Sequence, residues 1–209
     1  MNNKMGHKIS HKHFFSCYYF PYRYIYISPA NNLWHMIQNY CRDVVLQEFF
    51  DFPRKRFQIR ELSRKIGLGQ PSVAAHLKSL VIERLIVREE KGLYPAYHAR
   101  RDEDTFKLLK KQNMVWHLHT SSLLEYLSQK IHPACIVLFG SASRGEDSEE
   151  SDIDVFVQAK ESSLNVAKYE ASLHRKINIL FEPNLKKLPK ELLNNIINGQ
   201  ILYGYFKVF

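Results

Sequence analysis

The chain of 209 residues carries a formal net charge of +9 at pH 7, and 45% of its residues are hydrophobic. This length suffices for a sizeable core in one large or two small domains, and the sequence lacks the run of about 18 apolar residues that would cross a membrane. Three cysteines, Cys17, Cys41 and Cys135, show no metal-ligand spacing, which is typical of a reduced, cytoplasmic protein. Residues 39–101 hold 13 Lys/Arg against 7 Asp/Glu, so we expect two domains and a polyanionic partner for the first.

Residues 1–38 form an atypical segment, with eight Phe or Tyr between positions 14 and 26. The segment has neither the aliphatic core of a signal peptide nor the periodicity of a helix. Translation of an A/T-rich upstream region would give this composition, so we expect the biological start at Met36. The alternative is an added strand, formed through the alternation of Tyr22, Tyr24 and Tyr26.

Residues 39–101 show the pattern of three helices followed by a two-stranded ribbon. Apolar residues recur at helical spacing before Pro53, again before Gly67, and a third time after Pro71. Two short strands then flank a turn at Lys91–Gly92. This order, with the sequence PSVAAHLKSLVIERLIVRE, resembles the winged-helix family. The resemblance implies a DNA-binding domain whose third helix enters the major groove.

Polar and basic side chains of this first domain are the predicted DNA contacts. Short polar side chains on the third helix suit base edges, and the surrounding cations suit phosphates. The predicted contacts are Arg54, Lys55, Arg56, Arg60, Gln70, Ser72, His76, Lys78 and Lys91. Two alternatives stay open: a winged helix that serves only protein contacts or dimerisation, and a helical hairpin with basic edges.

Residues 102–131 are predicted to be a helical connector, with Asp102 or Asp104 as its N-terminal cap. Its intermittent apolar face comprises Phe106, Leu109, Trp116, Leu123, Leu124 and Leu127. Such a helix either packs on one domain or pairs with a second copy in a homodimer, and the sequence leaves both options open.

The stretch ACIVLFGS, residues 134–141, predicts a buried strand that ends at a glycine. Gly140 lets backbone N–H groups approach a ligand closely, and Ser141 adds a hydroxyl donor at the start of a short helix. Arg144 supplies a cation that reaches phosphate oxygens. Together these residues predict a site for the phosphates of a nucleotide.

The next predicted strand, SDIDVFV at residues 151–157, carries two carboxylates. Side chains alternate along a strand, so Asp152 and Asp154 share one face while the residues Ile153, Val155 and Val157 enter the core. Neighbouring carboxylates repel each other unless a cation lies between them, and Mg²⁺ shared with substrate phosphates fits that need. The alternative for the pair alone is an acidic strand end exposed to water.

Gly140–Ser141, Gly145 and Ser151-Asp-Ile-Asp together resemble the signature of the nucleotidyltransferase superfamily that includes DNA polymerase beta. In size the domain is similar to the minimal nucleotidyltransferases, and the resemblance covers about residues 130–206, including LLNNIINGQILYGY. It implies an α+β fold for residues 132–209, with a mixed sheet flanked by helices. It further implies that Gly140 and Ser141 bind the phosphates of an NTP, with ATP favoured, and that Asp152 and Asp154 are catalytic and bind Mg²⁺.

One position departs from the family pattern, because active members carry a third carboxylate on a later strand. The candidate strand is KINILFE, where Asn178 occupies the expected place and Glu182 has the same parity. Four residues along a strand span about 13 Å, too far for Glu182 to bind the same ion without a shift in register. An amide brings no charge and cannot act as a base, so the sequence predicts nucleotide and Mg²⁺ binding with weak transfer.

Three functions follow from these features. The first is a nucleotidyltransferase that moves a nucleoside monophosphate from ATP or another NTP to a hydroxyl group of a protein, RNA or small molecule. The second is a winged-helix transcriptional regulator whose second domain senses a nucleotide or contacts a partner. The third follows from the resemblance alone: minimal nucleotidyltransferases often act as antitoxins beside a small helical toxin.

Overall fold

The computed structural model describes residues 33–206, with side chains from Tyr40 onward. The aromatic segment and its tyrosine alternation lie outside the described residues, and the start at Met36 stays a prediction. The elements of the first half are α1 (Leu33–Asp51), α2 (Ile59–Ile66), α3 (Gln70–Ile82), β1 (Ile86–Glu89), β2 (Ala96–Ala99), α4 (Asp104–Thr120) and α5 (Leu123–Ile131). None of the helices in the described part of the chain is long and apolar enough to cross a membrane.

Helices α1, α2 and α3 and the antiparallel hairpin β1–β2 surround one hydrophobic core. Phe49 of α1 and Phe57, both fully buried, meet edge to face with ring centres 5.2 Å apart. Phe57 also pairs with Tyr97 of β2 as an isolated antiparallel bridge, so the segment before α2 is joined to the hairpin. Gly67 ends α2 in the left-handed conformation with φ +70°, and a proline stands in the first turn of α3.

The predicted connector is two helices rather than one. The chain turns between α4 and α5 at Ser122, which has the left-handed φ of +62°. Neither predicted aspartate caps α4: the N-cap residue is Glu103, and its side chain makes no capping hydrogen bond. Trp116, expected on the apolar face, is exposed. Helix α1 likewise extends further than predicted, because it begins at Leu33 instead of near residue 39.

Helix α4 belongs to both halves of the molecule. Near its start, Phe106 is buried in the N-terminal core, with its ring centre 5.2 Å from that of Phe50. Near its end, Leu118 is buried in the core of the second half together with Leu123 and Leu127 of α5. Within one chain, α4 therefore packs on both halves, and pairing with a second copy stays a prediction.

The second half is a four-stranded mixed sheet with helices on both faces, as expected for an α+β nucleotidyltransferase domain. Its elements are β3 (Cys135–Phe139), α6 (Gly140–Arg144), β4 (Ile153–Val157), α7 (Ala167–Leu173), β5 (Ile177–Phe181), a 3₁₀ turn (Leu185–Lys187), α8 (Lys190–Ile197) and β6 (Gln200–Gly204). The strand order is β5-β4-β3-β6. Strand β4 runs antiparallel to β3 and parallel to β5.

The two faces of this sheet bury different cores. Ile153, Val155 and Val157 of β4 pack in the core that contains α5, as their alternation predicts. On the opposite face, Phe156 is fully buried against Ile196 of α8. Only the start of β4 keeps that face open, and this is where the carboxylates lie.

Candidate active site

The two aspartates and the asparagine lie at one end of the sheet. Asp152 immediately precedes β4 and is exposed, whereas Asp154 lies in β4 and is half-buried. In the parallel pairing of β4 with β5, Asn178 stands directly beside Asp154, and its Nδ2 donates a hydrogen bond to Asp154 Oδ1 over 3.2 Å. The position of the missing third carboxylate is thus filled by an amide that donates to one of the other two carboxylates.

Gly140, which directly follows strand β3, lies against the carboxylate of Asp154. Phe139, the last residue of β3, pairs with Asp154, so the following glycine stands over the aspartate side chain. Its φ is +71°, and a Cβ atom at this position would overlap Asp154 Oδ2 and lie 3.3 Å from Cγ. Glycine is therefore required twice here, once by the backbone conformation and once by the close approach of the carboxylate.

Substituting this glycine gives a prediction that separates these two requirements. Gly140→Ala should lower the free energy of unfolding by clearly more than the roughly 1 kcal/mol expected for alanine in a left-handed conformation, because its methyl group also displaces Asp154. Gly67→Ala is a matched control, since Gly67 has φ +70° with nothing within 4 Å of an added Cβ. Urea unfolding of both variants measures the difference, and equal losses would contradict a tight contact between Gly140 and Asp154.

The other two predicted phosphate-binding residues differ in their surroundings. Ser141 is half-buried at the second position of α6. Arg144 is exposed at the end of α6, and its Nε donates to Glu146 Oε2 over 2.7 Å. Glu146 also lies 3.8 Å from the Nζ of Lys107 on α4. Arg144 therefore has a carboxylate partner already, which a phosphate would have to replace.

Glu182 lies away from this group. It directly follows β5, whose first residues flank Asp154, and its backbone N–H donates to Val157 O at the opposite end of β4. Its Oε1 accepts a hydrogen bond from the backbone N–H of Asn184 over 2.9 Å. The register thus separates Glu182 from Asp154 by the length of the strand.

A buried charge cluster behind the carboxylates was missed by the sequence analysis. Asp147, in the loop between α6 and β4, has a side chain only 1% exposed and forms ion pairs with Lys110 of α4 and Arg175. Burial lowers the pKa of Lys110, and the neighbouring Asp147 opposes that shift. No local pattern points to this cluster, because its members are 28 and 37 residues apart in the sequence.

The oxygen donors at this end of the sheet fit a hard cation. Within the described part of the chain, no group of three or more His, Cys, Asp or Glu side chains is placed to hold a metal ion. The Asp154 carboxylate and the Asn178 amide are in contact, and Asp152 lies two residues before Asp154 in the chain. Oxygen ligands of this kind suit a Mg²⁺ that also binds substrate phosphates. Asp152 and Asp154 would hold the ion, with one negative charge fewer than a three-carboxylate site.

The predicted DNA contacts cluster around α3 and the hairpin, but several are already paired. Lys55 forms an ion pair with Glu61 over 2.7 Å, and both Arg56 and Lys91 reach Glu89, over 3.3 and 3.5 Å. The remaining predicted contacts are Arg54, Arg60, Gln70 and Lys78, which are exposed, and Ser72 and His76, which are half-buried. The Arg60 guanidinium lies 5.5 Å from the ring centre of Tyr94 in the hairpin loop. To contact phosphates, Lys55, Arg56 and Lys91 would have to exchange these carboxylate partners.

A comparison with known protein families matches part of the second half of the chain. Residues 121–205 match the model of the family described as Polymerase beta, Nucleotidyltransferase. The match supports the assignment of this domain to the nucleotidyltransferase superfamily and indicates a role in nucleotidyl transfer. Searches of curated proteins and of solved structures found no significant match.

Proposed function

We propose that the second domain is a magnesium-dependent nucleotidyltransferase that moves a nucleoside monophosphate from ATP or another NTP to a hydroxyl group. The observation that carries this proposal is the close approach of Gly140 to the Asp154 carboxylate, inside the segment that matches the family model. This approach brings the backbone predicted to bind phosphates next to the carboxylates predicted to bind metal. The proximity of both groups is what a metal–triphosphate complex requires.

Each residue of the site has a proposed role in the reaction. The backbone at Gly140 and the hydroxyl of Ser141 donate to phosphate oxygens, while Asp152 and Asp154 hold Mg²⁺. The ion, when bound, neutralises the charge that develops on the triphosphate. Asn178 holds one carboxylate oxygen of Asp154 in place by its hydrogen bond, but an amide cannot take the proton of the attacking hydroxyl. We infer that nucleotide binding is retained and that transfer is slow.

Calorimetric titration with ATP tests this proposal directly. We expect binding in the presence of Mg²⁺ and much weaker binding in EDTA, since the two aspartates repel a triphosphate that lacks its metal. Slow transfer of α-labelled nucleotide to an acceptor, followed over hours, would complete the evidence for an enzyme. Absence of ATP binding at millimolar Mg²⁺ would reject the proposed site.

A winged-helix regulator that binds DNA is the second candidate function. It is supported by the order of three helices followed by a hairpin, and by the bridge that joins Phe57 to Tyr97 of the hairpin. Helix α3 buries Val73, Leu77 and Leu80 on one side, and leaves polar and basic side chains on the other. In this case the second domain would sense a nucleotide or bind a partner.

Salt dependence provides the prediction for this second candidate. If the first domain binds DNA, replacing Arg54, Arg60 and Lys78 by alanine should reduce the slope of log K against log[salt] by up to about three units, roughly one per lost phosphate contact. The exposed lysines Lys186, Lys187 and Lys190 of the second domain give a control with the same change in charge. Fluorescence anisotropy with genomic fragments measures both, and equal slopes for the two triple variants would contradict the predicted surface.

A further inference from the structure

Arg175 helps to hold the loop that carries Asp152, together with hydrogen bonds between Ser148 and Ser151 and from the Ile153 N–H to the Lys176 carbonyl. Arg175, between α7 and β5, donates to the backbone carbonyl of Ser151 from Nε over 2.8 Å and from Nη2 over 2.5 Å. The same Nη2 lies 3.4 Å from the carbonyl oxygen of Asp152 itself. A planar guanidinium can donate in this way to two consecutive carbonyls because its N–H groups form a rigid fork. The backbone position of Asp152 therefore depends on where Arg175 is held.

Arg175 is fixed in turn by buried charges. Its Nη1 donates to Asp147 Oδ2 over 2.5 Å, and Lys110 pairs with the other oxygen of Asp147 over 3.3 Å. Lys110 also donates to the backbone carbonyl of Asp147. The exposed fractions of the side chains are 1% for Asp147, 4% for Lys110 and 12% for Arg175, so water screens these pairs little.

None of the three residues belongs to a hydrophobic core of the described chain. The members of the cluster come from three separate segments: helix α4, the loop after α6, and the turn before β5. Burying three charges costs desolvation energy, and a buried ion pair is weak evidence for stability. What the cluster does achieve is to fix the backbone on either side of Asp152, a residue whose own side chain is exposed.

We propose that Arg175 is a positioning residue for Asp152, held in place by Asp147 and Lys110. This inference rests on the proposed binding of Mg²⁺–NTP by Asp152 and Asp154, and it adds a supporting set of residues to that site. Partners that orient a metal ligand commonly change metal affinity by about 10- to 100-fold when they are removed. Since Lys110 lies one turn after Phe106, Asp152 is also connected to the helix that packs in the N-terminal core.

The test uses the full chain with Arg175→Lys, which keeps the positive charge but loses the fork that spans two carbonyls. The measured quantity is the ratio of ATP dissociation constants in EDTA and in Mg²⁺, obtained by calorimetry. We expect this ratio to fall by about 10-fold or more, while the dissociation constant in EDTA stays within about twofold of that of the natural protein. A merely structural role would lower the melting temperature and leave the ratio unchanged.

A matched control and a second variant keep the outcome clear. Arg42→Lys changes another ion-paired arginine, which bonds Glu83 in the first domain, and should leave the ratio unchanged. If Arg175→Lys does not fold, Asp147→Asn loosens the hold on Arg175 with little change in volume and should lower the ratio in the same direction. If a folded variant shows an unchanged ratio, the positioning role of Arg175 is rejected and the proposed function is not affected. Absence of magnesium-dependent binding in the natural protein overturns the proposed function, and the inference with it.

Discussion

Replacing Asp152 and Asp154 together by asparagine is expected to abolish magnesium-dependent NTP binding while the domain stays folded. The two side chains are about 7 Å apart along one face of the strand, and neighbouring carboxylates repel each other. Relief of that repulsion offsets any weakening of the hydrogen bond that Asp154 accepts from Asn178. Calorimetry with Mg²⁺ and ATP measures binding, and circular dichroism with thermal melting measures the fold.

The contrast with an acidic pair elsewhere makes this result specific. Glu149→Gln with Glu150→Gln removes the same charge from the loop between α6 and β4, two and three residues before Asp152, and should leave Mg²⁺–ATP binding nearly unchanged. Unaltered nucleotide affinity in the double aspartate variant would reject the assignment of both residues. Loss of binding in the glutamate control as well would point to a general electrostatic effect of the loop instead of a metal site.

The elements that hold the site could be predicted because their signals are local. The strands β3, β4 and β5 are short apolar runs that end at glycine or polar residues, and all three were predicted within two residues of their observed bounds. Alternation along β4 put Asp152 and Asp154 on one face. The resemblance to the nucleotidyltransferase superfamily placed Asn178 at the site, and the structure aligns Asn178 with Asp154 in the parallel register.

The features of the fold that could not be predicted from the sequence depend on contacts between segments that are distant in the chain. The turn at Ser122 contains neither glycine nor proline, so nothing in the residue pattern separates α4 from α5. It forms because Leu118 and Leu123, on either side of the turn, both enter one core. The buried position of Lys110 was equally invisible, because a lysine in an amphipathic helix is normally a solvent-exposed residue.

The burial of Phe156, which shares a face of β4 with Asp154, has a similar explanation. The alternation of β4 indicated which side chains share a face, but not which of them another helix would cover. Helix α8 packs over Phe156 and stops short of Asp154, which leaves a polar site at one end of a hydrophobic face. Such a boundary is set by the length and path of a segment more than 30 residues away in the sequence, as the numbering of Phe156 and Lys190 shows.

Restoring a carboxylate at position 178 should change the activity of the protein most of all. Asn178→Asp would place a third negative charge directly beside Asp154, where the resemblance to the nucleotidyltransferase superfamily implies one. We expect the transfer of α-labelled nucleotide to an acceptor to rise by about 100-fold, the usual range for adding a positioned general base or metal-binding carboxylate. The gain should appear only with Mg²⁺ or Mn²⁺, because the ion must neutralise the added charge.

Without metal, the same substitution should destabilise the domain. The hydrogen bond from Asn178 Nδ2 to Asp154 Oδ1, which is 3.2 Å long, is lost. Two carboxylates then stand directly beside each other. A hydrogen bond to a charged group contributes about 1.5–3 kcal/mol, so thermal melting in EDTA should show a clear decrease that Mg²⁺ reverses. Asn178→Ala is the control that removes the donor without adding charge, and its stability should depend much less on Mg²⁺.

Glu182 provides the competing explanation for any activity of the natural protein. The strand length separates it from Asp154, so Glu182→Gln should leave both Mg²⁺–ATP affinity and transfer unchanged. Robust transfer that survives Asn178→Ala but disappears in Glu182→Gln would show that Glu182 is the third ligand and that the ends of β4 and β5 rearrange when nucleotide binds. The opposite result is transfer that rises in Asn178→Asp and is unchanged in Glu182→Gln. It would show that the natural protein keeps a nucleotide site and that the amide of Asn178 limits the rate of transfer.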